Sequence, residues 1–217
     1  MRDSTATVVR REDYAAPAFR IRSVDLVFDL DPAKTIVASR LHVERDPAAA
    51  AGQPLVLHGE DLNLLRVMCN GEGLSFRHEG GLLTIDSPPA DERFVLEIRN
   101  TCAPEKNRQL SGLYTSGSGF FTQCEAEGFR RITFFLDRPD VMAVYTVTLR
   151  ADRAKYPVLL SNGNLVEEGL LDNGRHFAKW HDPFPKPSYL FALVAGQLVS
   201  REQRITSRAG RDHLLQI

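Results

Sequence analysis

Hydrophobic positions along the chain recur mainly at every second residue. Phe94, Leu96 and Ile98 alternate with Val95, Glu97 and Arg99. Ala143, Tyr145, Val147 and Leu149 alternate with Val144, Thr146, Thr148 and Arg150. A period of two turns one set of side chains to a core and the other to solvent or a second layer, as strands do. Between Phe19 and Leu30 the apolar phase switches, from Phe19 and Ile21 to Val24, Leu26, Phe28 and Leu30. A bulge near Arg22–Ser23 would absorb the extra residue. Asn173-Gly174 lies between two such runs, and Asn-Gly tolerates the positive φ at both positions that a type I′ hairpin needs. Asn162-Gly163 and Gly80-Gly81 read the same way, and Asp137-Arg138-Pro139-Asp140 reads as a corner. No segment carries a sustained helical stripe. The Ala48–Ala51 run is flanked by Pro47, Gly52 and Pro54 and is at most one turn. Short strands with turns at roughly 8–12-residue spacing predict an all-β fold, a saddle-like antiparallel β-sandwich, over residues 10–200.

The 217 residues suffice for one large domain, or one domain plus an arm. Lys and Arg number 27 against 28 Asp and Glu, so the basic excess usual in nucleic-acid binders is missing. The longest apolar run closes the segment Tyr189–Gly196, far short of the roughly 18–20 residues that span a bilayer. Met1–Glu12 lacks the apolar core of a signal peptide. Cys69, Cys102 and Cys124 are odd in number and widely spaced, which points to a reducing compartment. The expectation is a cytoplasmic monomer with neither a nucleic-acid nor a membrane partner. At the C-terminus a polar stretch, Arg201–Gly210, gives way to His213-Leu214-Leu215-Gln216-Ile217. An apolar segment that starts and stops there reads as a strand left half-built, and so as a truncation.

Catalytic chemistry is sparse. A zinc-protease helix sets two His at i and i+4 around a Glu, but His78-Glu79 meets Leu82 where the second His belongs. His176 and His181 are five apart in a predicted strand and point to opposite faces. No metal site is expected in this chain. Gly117-Ser118-Gly119 lacks the spacing and the helix of a nucleophile elbow. Cys124 alternates with Gln123 and Glu125, which turns its thiol to the core as an inert group. Gln123, Glu125 and Glu127 fall at i, i+2 and i+4, one face if the segment is a strand. Three readings are open: a carboxylate pair at a separation near that of an inverting glycosidase, a carboxylate and amide that recognise an ammonium group, or a solvated strand face, which the pattern alone favours. The aromatic and proline cluster Trp180–Tyr189 reads as a stiff connection between strands, with a sugar platform or polyproline ligand as the functional alternative.

A more specific signal spans Gly112 to Gly196. The segments Gly112–Gly117, Thr122–Arg130, Phe134–Val141, Lys155–Asn164 and Asp182–Gly196 resemble the N-terminal domain of the bacterial aminopeptidase N family, zinc metalloaminopeptidases of the gluzincin class. The strong match, from Gly112 to Gly196, spans about 40% of the chain. The resemblance implies a parent enzyme whose catalytic domain carries a Gly-Ala-Met-Glu-Asn exopeptidase motif and a His-Glu-x-x-His zinc motif. Neither motif occurs here, so residues 1–200 would be the N-terminal β-sandwich domain and 201–217 the start of the catalytic domain. The parent would bind zinc and peptides with a free N-terminus; this fragment, packed on its own catalytic domain, would hold no cofactor and be inactive alone. By resemblance Glu125 would bind the substrate's α-ammonium and Gln123 would line the pocket for its first side chain. Glu127, Arg130, Asp137 and Pro139 also match family positions, in loop-shaping roles. Phe134-Phe135 stands where relatives often have tyrosines. The competing reading is a free-standing β-sandwich binding module, for carbohydrate or protein.

Overall fold

A computed structural model describes residues 10–50 and 52–217; most of the Met1–Glu12 segment, and Ala51, lie outside them. The strands run in chain order β1 Phe19–Asp29, β2 Thr35–Arg45, β3 Leu55–His58, β4 Asn63–Cys69, β5 Glu72–Gly73, β6 Arg77–Glu79, β7 Leu82–Ile85 and β8 Arg93–Cys102. There follow β9 Gly112–Ser116, β10 Gly119–Gln123, β11 Met142–Asp152, β12 Val158–Ser161, β13 Asn164–Leu170, β14 Arg175–Pro187, β15 Leu193–Gly196, β16 Glu202–Thr206 and β17 Asp212–Gln216. Only short 3₁₀ turns interrupt them. An eight-stranded sheet has the order β13-β14-β11-β1-β2-β8-β4-β5, and sheets of four (β12-β15-β10-β9) and three strands (β3-β7-β6) accompany it. The expected all-β sandwich forms, with one departure: β1 and β11 pair in parallel.

The alternation read in the sequence is the burial pattern. Along β11, Ala143, Tyr145, Val147 and Leu149 are buried; along β8, Phe94, Leu96 and Ile98. They meet Leu55, Leu57, Leu83 and Ile85 of the three-stranded sheet and Leu113, Phe120, Leu193 and Ala195 of the four-stranded one. The register of β1 on β2 shifts between Ile21 and Ser23, so the bulge lies where the apolar phase switches. Asn173-Gly174 and Gly80-Gly81 adopt positive φ in their hairpins. A hydrogen bond from Val141 N to Arg138 O closes the expected corner.

Three expectations change. Asn162-Gly163 is not a hairpin turn: β12 pairs with β15 and β13 with β14, so the chain switches sheets there. Gly163 fits because a Cβ would lie 2.3 Å from His181 O. Trp180–Tyr189 is not a connection, because β14 continues to Pro187. Beyond His181, opposite Asn164, β14 has no partner from β13. Pro183, Pro185 and Pro187 therefore fall where one side of the strand needs no N–H donor. The C-terminal segment is not a half-built strand: β16 and β17 form a closed hairpin, with Arg201 and Ile217 exchanging both backbone hydrogen bonds.

Candidate functional site: the turn after β10

Strand β10 ends at Gln123, which pairs with Gly112 of β9. Cys124–Gly128 then forms a turn closed by Gly128 N donating to Cys124 O at 2.8 Å. The one-face strand expected for Gln123, Glu125 and Glu127 is thus replaced by a strand end and a turn, and even spacing no longer fixes the separation of the carboxylates. The reason is backbone packing. A Cβ on Gly128 would lie 2.5 Å from Gln123 O and 2.9 Å from Gly112 N, and one on Gly112 would lie 2.9 Å from Gly128 O. Two glycines let the turn fold flat onto β9, and Gly112 also has φ +78°.

The ends of the turn are held from below. Cys124 is buried, as expected, and burial pushes its thiol pKa up, with the charge of Asp137 adding to the shift. Phe129 is fully buried, its ring centroid 4.9 Å from that of Phe135 and 5.1 Å from that of Phe191. Arg130 Nε donates to Asp137 Oδ2 at 2.9 Å and the Arg130 backbone N–H to the same oxygen at 3.2 Å. Arg130 Nη2 also reaches the Asp137 carbonyl at 3.1 Å and Glu127 at 3.2 Å. Arg131 pairs with Glu60 and Asp61 in the β3–β4 connection. Ser39, Asn100 and Thr133 form a buried polar bridge from the large sheet, with Thr133 Oγ1 donating to Asn100 Oδ1 at 2.9 Å and Asn100 Nδ2 to Ile132 O at 2.9 Å. Glu127, Arg130 and Asp137 accordingly shape the loop.

Gln123 and Glu125 are exposed, and among the described residues neither side chain has a hydrogen-bonding or ion-pairing partner. Their polar ends are free for a ligand. No group of three or more His, Cys, Asp or Glu among the described residues could hold a metal. His176 Nε2 contacts Tyr156 O and His181 Nδ1 contacts Thr146 Oγ1, so these two imidazoles serve separate structural ends.

Sequence reasoning missed two parts of the neighbourhood. One is Ser188, whose hydroxyl donates to Asp137 Oδ1 at 2.5 Å; a lone serine after a proline carries no signal. The other is Lys186, buried with its ammonium 3.9 Å above the Tyr145 ring and 3.0 Å from Asp182. Burial lowers the Lys186 pKa against the pull of Asp182. Burial alone would raise the Asp182 carboxyl, yet Lys186 holds it below the usual range.

A profile of the peptidase M1 N-terminal domain matches residues 22–190. The chain belongs to the peptidase M1 N-terminal domain family. Aminopeptidase N of Escherichia coli (strain K12) is 50% identical over 208 residues, covering 95% of this chain and 23% of that protein. The crystal structure of Legionella pneumophila aminopeptidase A, in complex with aspartic acid, superposes with a TM-score of 0.89 at 34% identity, over 94% of this chain and 24% of that one. An M1 zinc metallopeptidase from Deinococcus radiodurans, bound to a Tyr-Ser-Ala substrate, shares the fold with a TM-score of 0.75 at 17% identity, over 92% of this chain and 47% of that one. This M1 N-terminal domain thus spans about a quarter of the Escherichia coli and Legionella proteins. A free-standing module finds no support among these relatives.

Proposed function

We propose that this chain is the N-terminal domain of a zinc aminopeptidase and supplies part of the site that recognises the free amine of a peptide. The observation that carries the reading is the turn after β10. It presents Gln123 and Glu125 exposed and unengaged on a backbone fixed from several sides, within a domain whose relatives are named aminopeptidases. An exopeptidase must measure one residue from the substrate's amine. A carboxylate at a fixed place does so through charge-assisted hydrogen bonds to the ammonium. Glu125 takes that role, and Gln123, one strand position before Cys124, borders the first side chain.

No group of His, Cys, Asp or Glu among the described residues fits a zinc ion, and on this reading the metal belongs to the remainder of the protein and the chain alone is inactive. The remainder includes the catalytic domain, against which this one packs. Phe184 (76% exposed) and Leu170 (70%) are apolar surface available for such contact. The domain is read as ending near residue 200, before the separate β16–β17 hairpin, with residues 201–217 opening the next domain. Three buried free cysteines support a reducing, cytoplasmic setting, and this chain on its own is taken as a monomer.

The test is steady-state kinetics of Glu125→Gln in the full-length protein on an amino-acid amide, with zinc content measured in parallel. Loss of one hydrogen bond to a charged group, about 1.5–3 kcal/mol, lowers kcat/KM roughly 10–100-fold. Zinc content stays unchanged. Wild-type kcat/KM in the variant refutes the assignment.

A further inference from the structure

Glu125 has no side-chain anchor, so only the backbone sets its place, and the backbone is held by a buried carboxylate. We propose that Asp137 and Arg130 are positioning residues for the amine site. They touch no substrate, and they fix the Cys124–Gly128 turn so that Glu125 meets the ammonium at one location. The inference rests on the reading of Glu125 given above.

The Asp137 side chain is 1% exposed and that of Arg130 11% exposed. Both Asp137 carboxylate oxygens are used: Oδ2 accepts from Arg130 Nε and from the Arg130 backbone N–H, and Oδ1 accepts from Ser188 Oγ. One buried group therefore ties the 3₁₀ turn Phe129–Arg131 to the end of β14. Arg130 extends the tie outward to Glu127, inside the turn itself, at 3.2 Å. A buried pair of this kind adds little net stability compared with an apolar replacement, but its geometry is unique. Uniqueness is what the turn needs. An exposed carboxylate on a loose loop would lose ordering entropy at each binding event, and one held in place does not. Deletion of one tie releases the turn.

The test uses the full-length protein, with Asp137→Asn, Ser188→Ala, Glu125→Gln and the double variants assayed on an amino-acid amide, and folding checked by thermal unfolding. Asp137→Asn is expected to lower kcat/KM about 10-fold, chiefly through KM, because displacement of a recognising group weakens binding before chemistry. Ser188→Ala, which removes one hydrogen bond, shifts KM in the same direction by less and serves if Asp137→Asn fails to fold. Neither change lowers kcat/KM further on the Glu125→Gln background. A purely structural role would reduce the folded fraction and leave KM alone. Glu125→Gln at wild-type kcat/KM refutes the amine-site reading. If Glu125→Gln is impaired, while the folded Asp137 and Ser188 variants keep wild-type KM or their losses simply add to it, the positioning inference alone is overturned.

Discussion

Gly128→Ala isolates the packing that folds the turn onto β9. Gly128 has φ −84° and ψ −18°, which alanine adopts without strain, so the substitution acts through contact alone. Its new Cβ would lie 2.5 Å from Gln123 O, 2.9 Å from Cys124 Cα and 2.9 Å from Gly112 N. All three are backbone atoms, two in the incoming leg of the turn and one in β9, and none can swing aside as a side chain could. Forcing a methyl group into such a place costs about 1–3 kcal/mol. In a chain of this length 1 kcal/mol corresponds to about 2–4 °C, so the upper half of that range lowers Tm by about 4–12 °C. The control is Gly73→Ala, in β5, where an added Cβ meets nothing within 4 Å; it leaves Tm unchanged or slightly raised. Thermal unfolding of the 217-residue chain, followed by circular dichroism with a urea titration beside it, measures both. If Gly128→Ala and Gly73→Ala melt within about 1 °C of each other, against the 2 °C or more that 1 kcal/mol would produce, the turn is not held by this contact.

The Tyr145 hydroxyl is buried without a hydrogen-bond partner among the described residues, so Tyr145→Phe should leave stability unchanged or raise it by up to about 1 kcal/mol; a urea-measured loss above that would mean the hydroxyl has a partner. His58 is half-buried, its Nδ1 is buried with no partner among the described residues, and burial, then the charge of Arg130, lowers its pKa. The unfolded state, titrating near 6.5, takes the proton first, so the stability His58 contributes is complete above about pH 6.5 and is lost as pH falls through the lower folded value. His58→Gln should therefore lose less stability than wild type between pH 7.5 and 5.5, and equal losses in the two urea midpoints would refute this.

The strands were legible because half-buried strands write a period of two directly into the sequence. The bulge after Ile21 was legible for the same reason: it is a change of phase, and phase is what burial selects. Asn173-Gly174 and Asn162-Gly163 show the limit of local reading. Both tolerate positive φ or a close backbone approach, but only the partners of the flanking strands decide whether the chain reverses or changes sheets, and those partners are distant in sequence. The prolines after Trp180 suggested a connection, whereas an unpartnered side of β14 admits them within a strand. At the C-terminus the apolar run looked unfinished because its partner, Glu202–Thr206, is itself polar and exposed. The spacing picked out Gln123, Glu125 and Glu127 as a set, and the resemblance gave Gln123 and Glu125 their roles. Their alternation with Cys124 held only as far as the buried thiol, because the strand ends one residue before it.

That early end has a physical consequence for recognition. A carboxylate in mid-strand sits on a face beside side chains of two neighbouring strands, where cross-strand partners compete for it. In the large sheet this is the fate of Glu44, which Arg22 engages through both carboxylate oxygens, the hydrogen bond lowering its pKa. Glu125 lies past the last rung of the β9–β10 ladder, and among the described residues no strand offers it a partner. The turn thus reconciles two demands that a strand sets against each other, a rigid backbone and an unengaged side chain. Rigidity comes from the glycine contact and the Asp137 clamp below, and freedom from the absence of a neighbouring strand above. On the proposed reading, the substrate's ammonium then meets a carboxylate with no internal ion pair to give up, so the charge-assisted hydrogen bond adds to affinity without the offsetting loss of an existing one.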